Sequence, residues 1–137
     1  MSSTPPKAFS VYKTKTFARF AKHARITNAD LWHSALLANQ GSIDADLGGG
    51  VIKQRIARPG EGKSGGSRTI VAFRKADRAV YVFGFAKKDM DNMDIRQLKL
   101  LRILARTVLG YNADQLKQQM KAGELFFVEA PKEGEDV

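Results

Sequence analysis

Cysteine is absent from the 137 residues, so neither a disulfide nor a thiolate metal site is available to this chain. Histidine is nearly absent: His23 and His33 both stand in stretches of helical spacing, away from the basic strands identified below. Neither has a serine or carboxylate at a spacing that suggests a triad, and the acidic residues form no His-carboxylate pattern for a metal. The expectation is packing or surface roles for both, with no metal and no cofactor. No window reaches the run of about 18 apolar residues needed to span a membrane. The opening Met1-Ser-Ser-Thr-Pro-Pro6 lacks the basic stretch and apolar core of a secretory signal. A soluble, cytoplasmic protein without a membrane partner is therefore expected.

Hydrophobic residues make up 43% and charged residues 27% of the chain, a mix that supports a folded core rather than disorder. Lys and Arg number 23 against 14 Asp and Glu, a net charge of +9 that attracts polyanions. The excess is concentrated: residues 1–50 carry 6 basic and 3 acidic groups, residues 51–88 carry 10 and 2, and residues 89–137 carry 7 and 9. Nucleic acid is the first partner to consider, and the middle third is where it would bind.

Residues 1–8 read as a loose arm, residues 9–128 as one domain, and residues 129–137 as an acidic flexible tail. Phe9 to Tyr12 alternates like a short strand. Phe17, Phe20, Ala21 and Ala24 recur at helical spacing, and Thr27 or Asn28 can cap a second helix that ends near Gly41. Gly48-Gly-Gly50 breaks the chain. Three β-rich runs follow, Val51 to Ile56, Val71 to Phe73 and Val80 to Phe85, the last two joined by a short turn at Lys75 to Arg78. Gly60 to Gly66, with four glycines in seven residues, reads as a flexible loop between the first two. Asp91 to Asp94 supplies caps for a helix through Ile95, Leu98, Leu101, Ala105 and Leu109. A shorter helix to Met120, stopped by Gly123, and an edge strand at Leu125 to Val128 complete the pattern. The fold class is α+β, with the N-terminal helices on one face of an antiparallel sheet.

Strand residues two apart share a face. Lys53 and Arg55 therefore project together, opposite Ile52 and Ile56, and Arg68 and Arg74 have the parity to join them. Arg58 and Lys63 flank the Gly-rich loop, and Lys87 and Lys88 follow the third strand. Isolated runs of this kind are mostly solvated surface charge; the shared parity beside a Gly-rich loop argues for a polyanion site. Tyr81, Phe83 and Phe85 share strand parity; core packing is the default for such a set, and Phe85, at the strand end, is the one placed to meet a nucleobase. Trp32 reads as a packing anchor. Gly62-Lys-Ser64 is not a P-loop, since Ala57 stands where that motif needs glycine and a strand follows instead of a helix.

Three ordered blocks resemble the core of the RelE/ParE superfamily of toxins: Ile52-Lys-Gln-Arg-Ile-Ala57, then Gly60-Glu-Gly-Lys-Ser-Gly-Gly-Ser-Arg-Thr-Ile-Val-Ala-Phe73, then Tyr81-Val-Phe-Gly-Phe-Ala-Lys-Lys-Asp89. The similarity is greatest to the HigB-like branch, with its Lys-x-Arg strand and its Gly-Lys loop ending in Gly-Gly-x-Arg. It covers residue 47 to about residue 105 well. The resemblance implies a microbial-ribonuclease-type fold in which the face away from the N-terminal helices takes mRNA, typically in the ribosomal A site. It implies Lys53, Arg55, Arg68 and Lys87 as catalytic positions, with Arg58 and Lys63 as supports; strand parity adds Arg74, and position at the end of the third strand adds Phe85 and Lys88, as RNA-binding candidates. Phe85 stands where many relatives have tyrosine, and Lys88-Asp89 where Asn-Glu is usual.

Such a site needs no metal, because RNA carries its own nucleophile. The protein has to orient the ribose 2′-OH, move two protons and stabilise the added negative charge. Lys53 is the candidate for proton transfer, and Arg55 and Arg68 for forked hydrogen bonds to phosphate. The family also implies a cognate antitoxin, expected to be a helix-turn-helix protein. Two alternatives share the charge pattern: a basic module that binds nucleic acid without cutting it, and a ParE-like gyrase inhibitor.

Overall fold

The computed structural model describes residues 8–58, 62–86 and 94–132. Over these the chain runs β1 (Ser10–Thr14), α1 (Lys15–Ala24), α2 (Asn28–Asn39), β2 (Ala45–Gly48), β3 (Val51–Arg58), β4 (Gly62–Arg74), β5 (Arg78–Ala86), α3 (Ile95–Leu109), α4 (Ala113–Lys121) and β6 (Leu125–Val128). The arm before residue 8, the tail from residue 133, and Lys87 and Lys88 lie outside the described residues, as do the side chains of Arg58 and Lys63.

Helix boundaries follow from local hydrogen-bond chemistry. Thr14 caps α1 by accepting from the Phe17 amide at 3.1 Å, and the chain leaves through Arg25 in the left-handed region. Thr27 with Asp30, Asp94 with Gln97 and Asn112 with Gln115 each form a reciprocal capping box for α2, α3 and α4.

The strands form one sheet in the order β2-β3-β4-β5-β1-β6. From β2 to β5 all pairings are antiparallel, but β1 lies parallel to β5, so the sheet is mixed rather than wholly antiparallel. The physical reason is the excursion through α1 and α2, which carries the chain over the sheet to its far edge before the β2-to-β5 meander returns to β1. Strand β2, which has no strand composition of its own, is held against β3 by the turn at Gly48, Gly49 and Gly50. All three have positive φ, a conformation that glycine adopts without strain.

Both faces of the sheet carry a core. Ile52, Ile56, Val71, Tyr81 and Val128 pack against Phe17, Ala21, Leu31 and Ala35 of α1 and α2. On the other face Val51, Ile70, Ala72, Val80 and Val82 pack against Ala105, Val108 and Leu109 of α3 and Leu116 of α4. The face expected to lie open to RNA is therefore roofed by the C-terminal helices over part of its length. Among the first-face residues, Gln54 is buried and joins three segments. Its amide nitrogen donates to the carbonyls of Ser34 and Ser42, and its oxygen accepts from the Asp44 amide at 2.9 Å.

The Gly-rich segment differs from expectation. Strand β4 begins at Gly62, so most of the expected loop is the start of a long hairpin. Gly66 is buried against β3, and a Cβ there would run into the Ile56 carbonyl oxygen. Glycine at this position serves close backbone approach instead of flexibility. We expect Gly66→Ala to destabilise the protein by about 2 kcal/mol or more, read as a lower urea midpoint with an unchanged m-value. An unshifted midpoint would show that the hairpin accommodates the methyl group.

Candidate nucleic-acid interface

Register and parity decide which side chains can act together. On β3, Val51 belongs to the core under α3, so Lys53 and Arg55 project to that face. On β4, Ala72 and Ile70 do the same, and Arg68 follows them. Arg55 is paired with Arg68, and Arg68 with Phe85; one step back, Lys53 is paired with Ile70, and Ile70 with Phe83. Cross-strand partners on one face sit with their Cβ atoms about 5 Å apart. Lys53, Arg55, Arg68, Phe83 and Phe85 thus form two adjacent rows at the end of the sheet that α3 leaves less covered. Phe83 is 39% exposed and Arg55 is exposed, whereas Lys53 and Arg68 are half-buried.

Arg55 and Arg68 are opposed like charges, an arrangement that disfavours the fold. Among the described residues neither they nor Lys53 has an ion-pair partner. The ion pairs there join Asp77 to Arg74 and Arg78. One guanidinium nitrogen of Arg68, Nη1, is buried without a hydrogen-bond partner. None of the described residues forms an ion pair with these rows, and the exposed Arg55 is the arginine whose fork is open to an anion.

The sequence expectations separate here. Lys53, Arg55, Arg68 and Phe85 come together. Arg74 does not: it lies six residues along β4 from Arg68, about 20 Å away at strand rise. There its Nη1 donates to Asp77 at 3.0 Å and to the Leu109 carbonyl at 3.1 Å, tying the β4–β5 turn to the end of α3. The backbones of Arg58 and Lys63 fall on β3 and β4 near the hairpin end, while Lys87 and Lys88 lie outside the described residues. Tyr81 packs in the core as expected but does not keep the parity of Phe83 and Phe85. A bulge shifts the pairing between Ile70–Phe83 and Val71–Tyr81, so Tyr81 faces α2 and donates its hydroxyl proton to the Leu31 carbonyl at 2.7 Å. Burial pushes its phenol pKa up, which keeps it neutral.

Two cavities border the rows. One, of about 440 Å³, lies between the sheet and α3 and is lined by Ile70, Phe83, Gly84, Phe85, Gln97, Leu100, Leu101 and Leu104. The other, of about 500 Å³, lies between α2 and the β3 edge and is lined by Asp30, His33, Asp44, Gln54 and Arg55 together with apolar Leu37 and Ile56. His33 is thus not remote from the basic strands, because α2 packs onto β3. Asp44 accepts a hydrogen bond from the Arg55 backbone amide and fixes the strand beneath that side chain. No pattern in the sequence links α2 to Arg55.

Among the described residues no group of three or more His, Asp or Glu side chains gathers as a metal site, and no helix is long and apolar enough to cross a membrane. A family model described as the RelE toxin of the RelE/RelB toxin-antitoxin system matches residues 9–128. No curated protein matches the chain. The unneutralised row carries a testable cost. Arg68→Met, which keeps the aliphatic stem and removes the opposed charge, is expected to stabilise the fold by about 1 kcal/mol in urea unfolding. A lower midpoint would mean that the guanidinium contributes to the native state.

Proposed function

The chain belongs to the RelE toxin family, and from that membership we propose that it is an endoribonuclease that cuts mRNA on the ribosome and so arrests translation. The single observation that supports the activity is the alignment of Lys53, Arg55 and Arg68 on one sheet face with no ion pair to any of the three among the described residues. A phosphate seated on Arg55 and Arg68 receives forked hydrogen bonds. These strengthen as charge builds on its oxygens during attack by the adjacent 2′-OH. Lys53, one row away, is the group assigned to proton transfer. Phe85 has no hydroxyl to share that work and offers a ring face instead. Lys87 is a further candidate from the family pattern.

The bonds made and broken balance without a cofactor. The 2′-OH gives up its proton to the protein or to water as its oxygen bonds to phosphorus, the bond from phosphorus to the 5′-oxygen breaks, and that oxygen takes up one proton, so that a 2′,3′-cyclic phosphate and a 5′-hydroxyl result with no net change in protons. The partners in this reading are mRNA, the ribosome and, as the family implies, an antitoxin. We propose a helix-turn-helix protein for that last role and the cytoplasm as the place of action. An acidic antitoxin surface would complement residues 51–88, where 10 basic groups face 2 acidic ones.

The test is cleavage of mRNA on programmed ribosomes by the purified chain in excess EDTA, with end-group analysis of the fragments. We expect cyclic-phosphate and 5′-hydroxyl ends, and a loss of about 10²–10³-fold in rate for Arg55→Ala or Arg68→Ala. Each substitution is also expected to reduce the slope of log affinity against log salt for single-stranded RNA by about 0.7. Intact RNA with undiminished binding would identify a module that binds without cutting. Arrest of DNA supercoiling before translation would identify a gyrase inhibitor.

A further inference from the structure

Strand β2 covers only the first part of β3: the last pair along β3 is Lys53 with Ala45. From Gln54 onward, β3 has β4 on one side and, among the described residues, no strand on the other. A backbone amide on such an open edge needs another acceptor. The Arg55 amide has one in Oδ2 of Asp44, the residue just before β2. The Asp44 carboxylate thus stands in for the strand carbonyl that would be there had β2 been longer.

Asp44 is held in its turn. Its backbone amide donates to Gln54 Oε1 at 2.9 Å, and Gln54 Nε2 donates to the carbonyls of Ser34 at 3.3 Å and Ser42 at 3.2 Å. Two hydrogen bonds therefore cross between the same segments in opposite senses. A β3 side chain fixes the Asp44 backbone, and the Asp44 side chain fixes the β3 backbone.

The residue fixed in this way is under the most strain to move. Arg55 is opposed by Arg68 on β4, and like charges in directly opposed positions push apart. The pairing of β3 with β4 also becomes irregular between Ile56 and Arg58. Arg55 stands between the end of β2 and that bulge, and its exposed side chain shares the wall of the cavity of about 500 Å³ with Asp44. A carboxylate beside an anion site repels the phosphate that the arginines attract. Its charge alone works against binding, so its contribution has to come through the amide.

We propose that Asp44 is the positioning residue of Arg55: by accepting from the backbone amide, it keeps the guanidinium in reach of the phosphate. This role rests on the ribonuclease reading for the phosphate that Arg55 meets, but binding tests it apart from cleavage. Charge and positioning predict opposite signs. If Asp44 acts only by its charge, Asp44→Ala tightens RNA binding; if it positions Arg55, Asp44→Ala loosens binding even though the net charge becomes more positive.

The experiment measures the affinity of the full chain, at several salt concentrations, for a five-nucleotide RNA with 2′-fluoro riboses, which lack the attacking hydroxyl. Cleavage of mRNA on programmed ribosomes and urea unfolding are followed in the same proteins. Asp44→Ala is expected to lower the slope of log affinity against log salt by about 0.7, the loss of one phosphate contact, and to slow cleavage about tenfold. Asp44→Asn keeps an oxygen able to accept from the amide, and should restore the slope and most of the rate. In an Arg55→Ala background, Asp44→Ala should cost nothing further, whereas general damage to the fold would add to the loss. Should Asp44→Ala fail to fold, Asp44→Glu takes its place: it keeps the charge, displaces the acceptor by one methylene, and should lower slope and rate in the same direction. Tighter binding by both Asp44→Ala and Asp44→Asn, equal losses in the two, or an undiminished loss in the Arg55→Ala background overturns the positioning role. If the slope falls with Asp44→Ala and returns with Asp44→Asn but no RNA is cut, the positioning role stands and the ribonuclease reading fails. If RNA is cut and Asp44→Ala cuts it like the wild type, the ribonuclease reading stands and the role of Asp44 is overturned. If no RNA binds, both are overturned.

Discussion

A single sheet face has to be apolar where a helix covers it and cationic where the helix stops, and the change is made within a few residues. Along β3 it runs Val51, Lys53, Arg55; along β4, Ala72, Ile70, Arg68; along β5, Val80, then Phe83 and Phe85 beyond the bulge. The position of α3 sets where the change can fall. The Arg102 guanidinium donates to the Leu47 carbonyl, and its side chain lies over Gly48 and Gly49, where a Cβ would collide with it. The C-terminal half of α3 is thereby anchored on Val51 and Ala72. Its first turns stand away from the core, with Ile95 and Leu100 largely exposed. The uncovered length of sheet follows from that anchor.

The opposite face supplies rigidity to this arrangement. Gln54 lies between Lys53 and Arg55 in sequence but points the other way, into hydrogen bonds with Ser34, Ser42 and Asp44. Its own carbonyl accepts from the Thr69 hydroxyl of β4 at 2.9 Å. Buried polar contacts of this kind hold a strand in one register because every alternative leaves groups unsatisfied. Like charges therefore stay opposed across β3 and β4 because the reverse side of the same strands prevents them from separating.

Much of this was legible in the chain itself. Period-2 alternation exposed the shared direction of Lys53 and Arg55, and cap residues such as Thr27 and Asp94 located the helices. Three ordered blocks pointed to the RelE family. What escaped had no local signal. The four residues of β2 include Asp46 and Gly48 and become a strand only because β3 is beside them. The bulge that sends Tyr81 to one face and Phe83 to the other depends on pairing with β4, since simple alternation assigns both to the same side. Arg74 has the right parity but the wrong end of the strand, and parity says nothing of distance along it. Glycine's permissiveness makes the Gly-rich run look loose, whereas Gly66 is there because two backbones meet. The coverage of the second face by α3 and α4 is tertiary.

Strand β1 lies between β5 and β6, so residues 10–14 are held by partners from residues 78–81 on one side and 125–128 on the other. During synthesis these first residues emerge early and wait for both neighbours, which are distant in sequence. A nascent polypeptide that has delivered every cation of the rows still has an unfinished sheet until Leu125–Val128 is released. The order of emergence thus sets the closing of the sheet after the synthesis of every cation that the sheet displays.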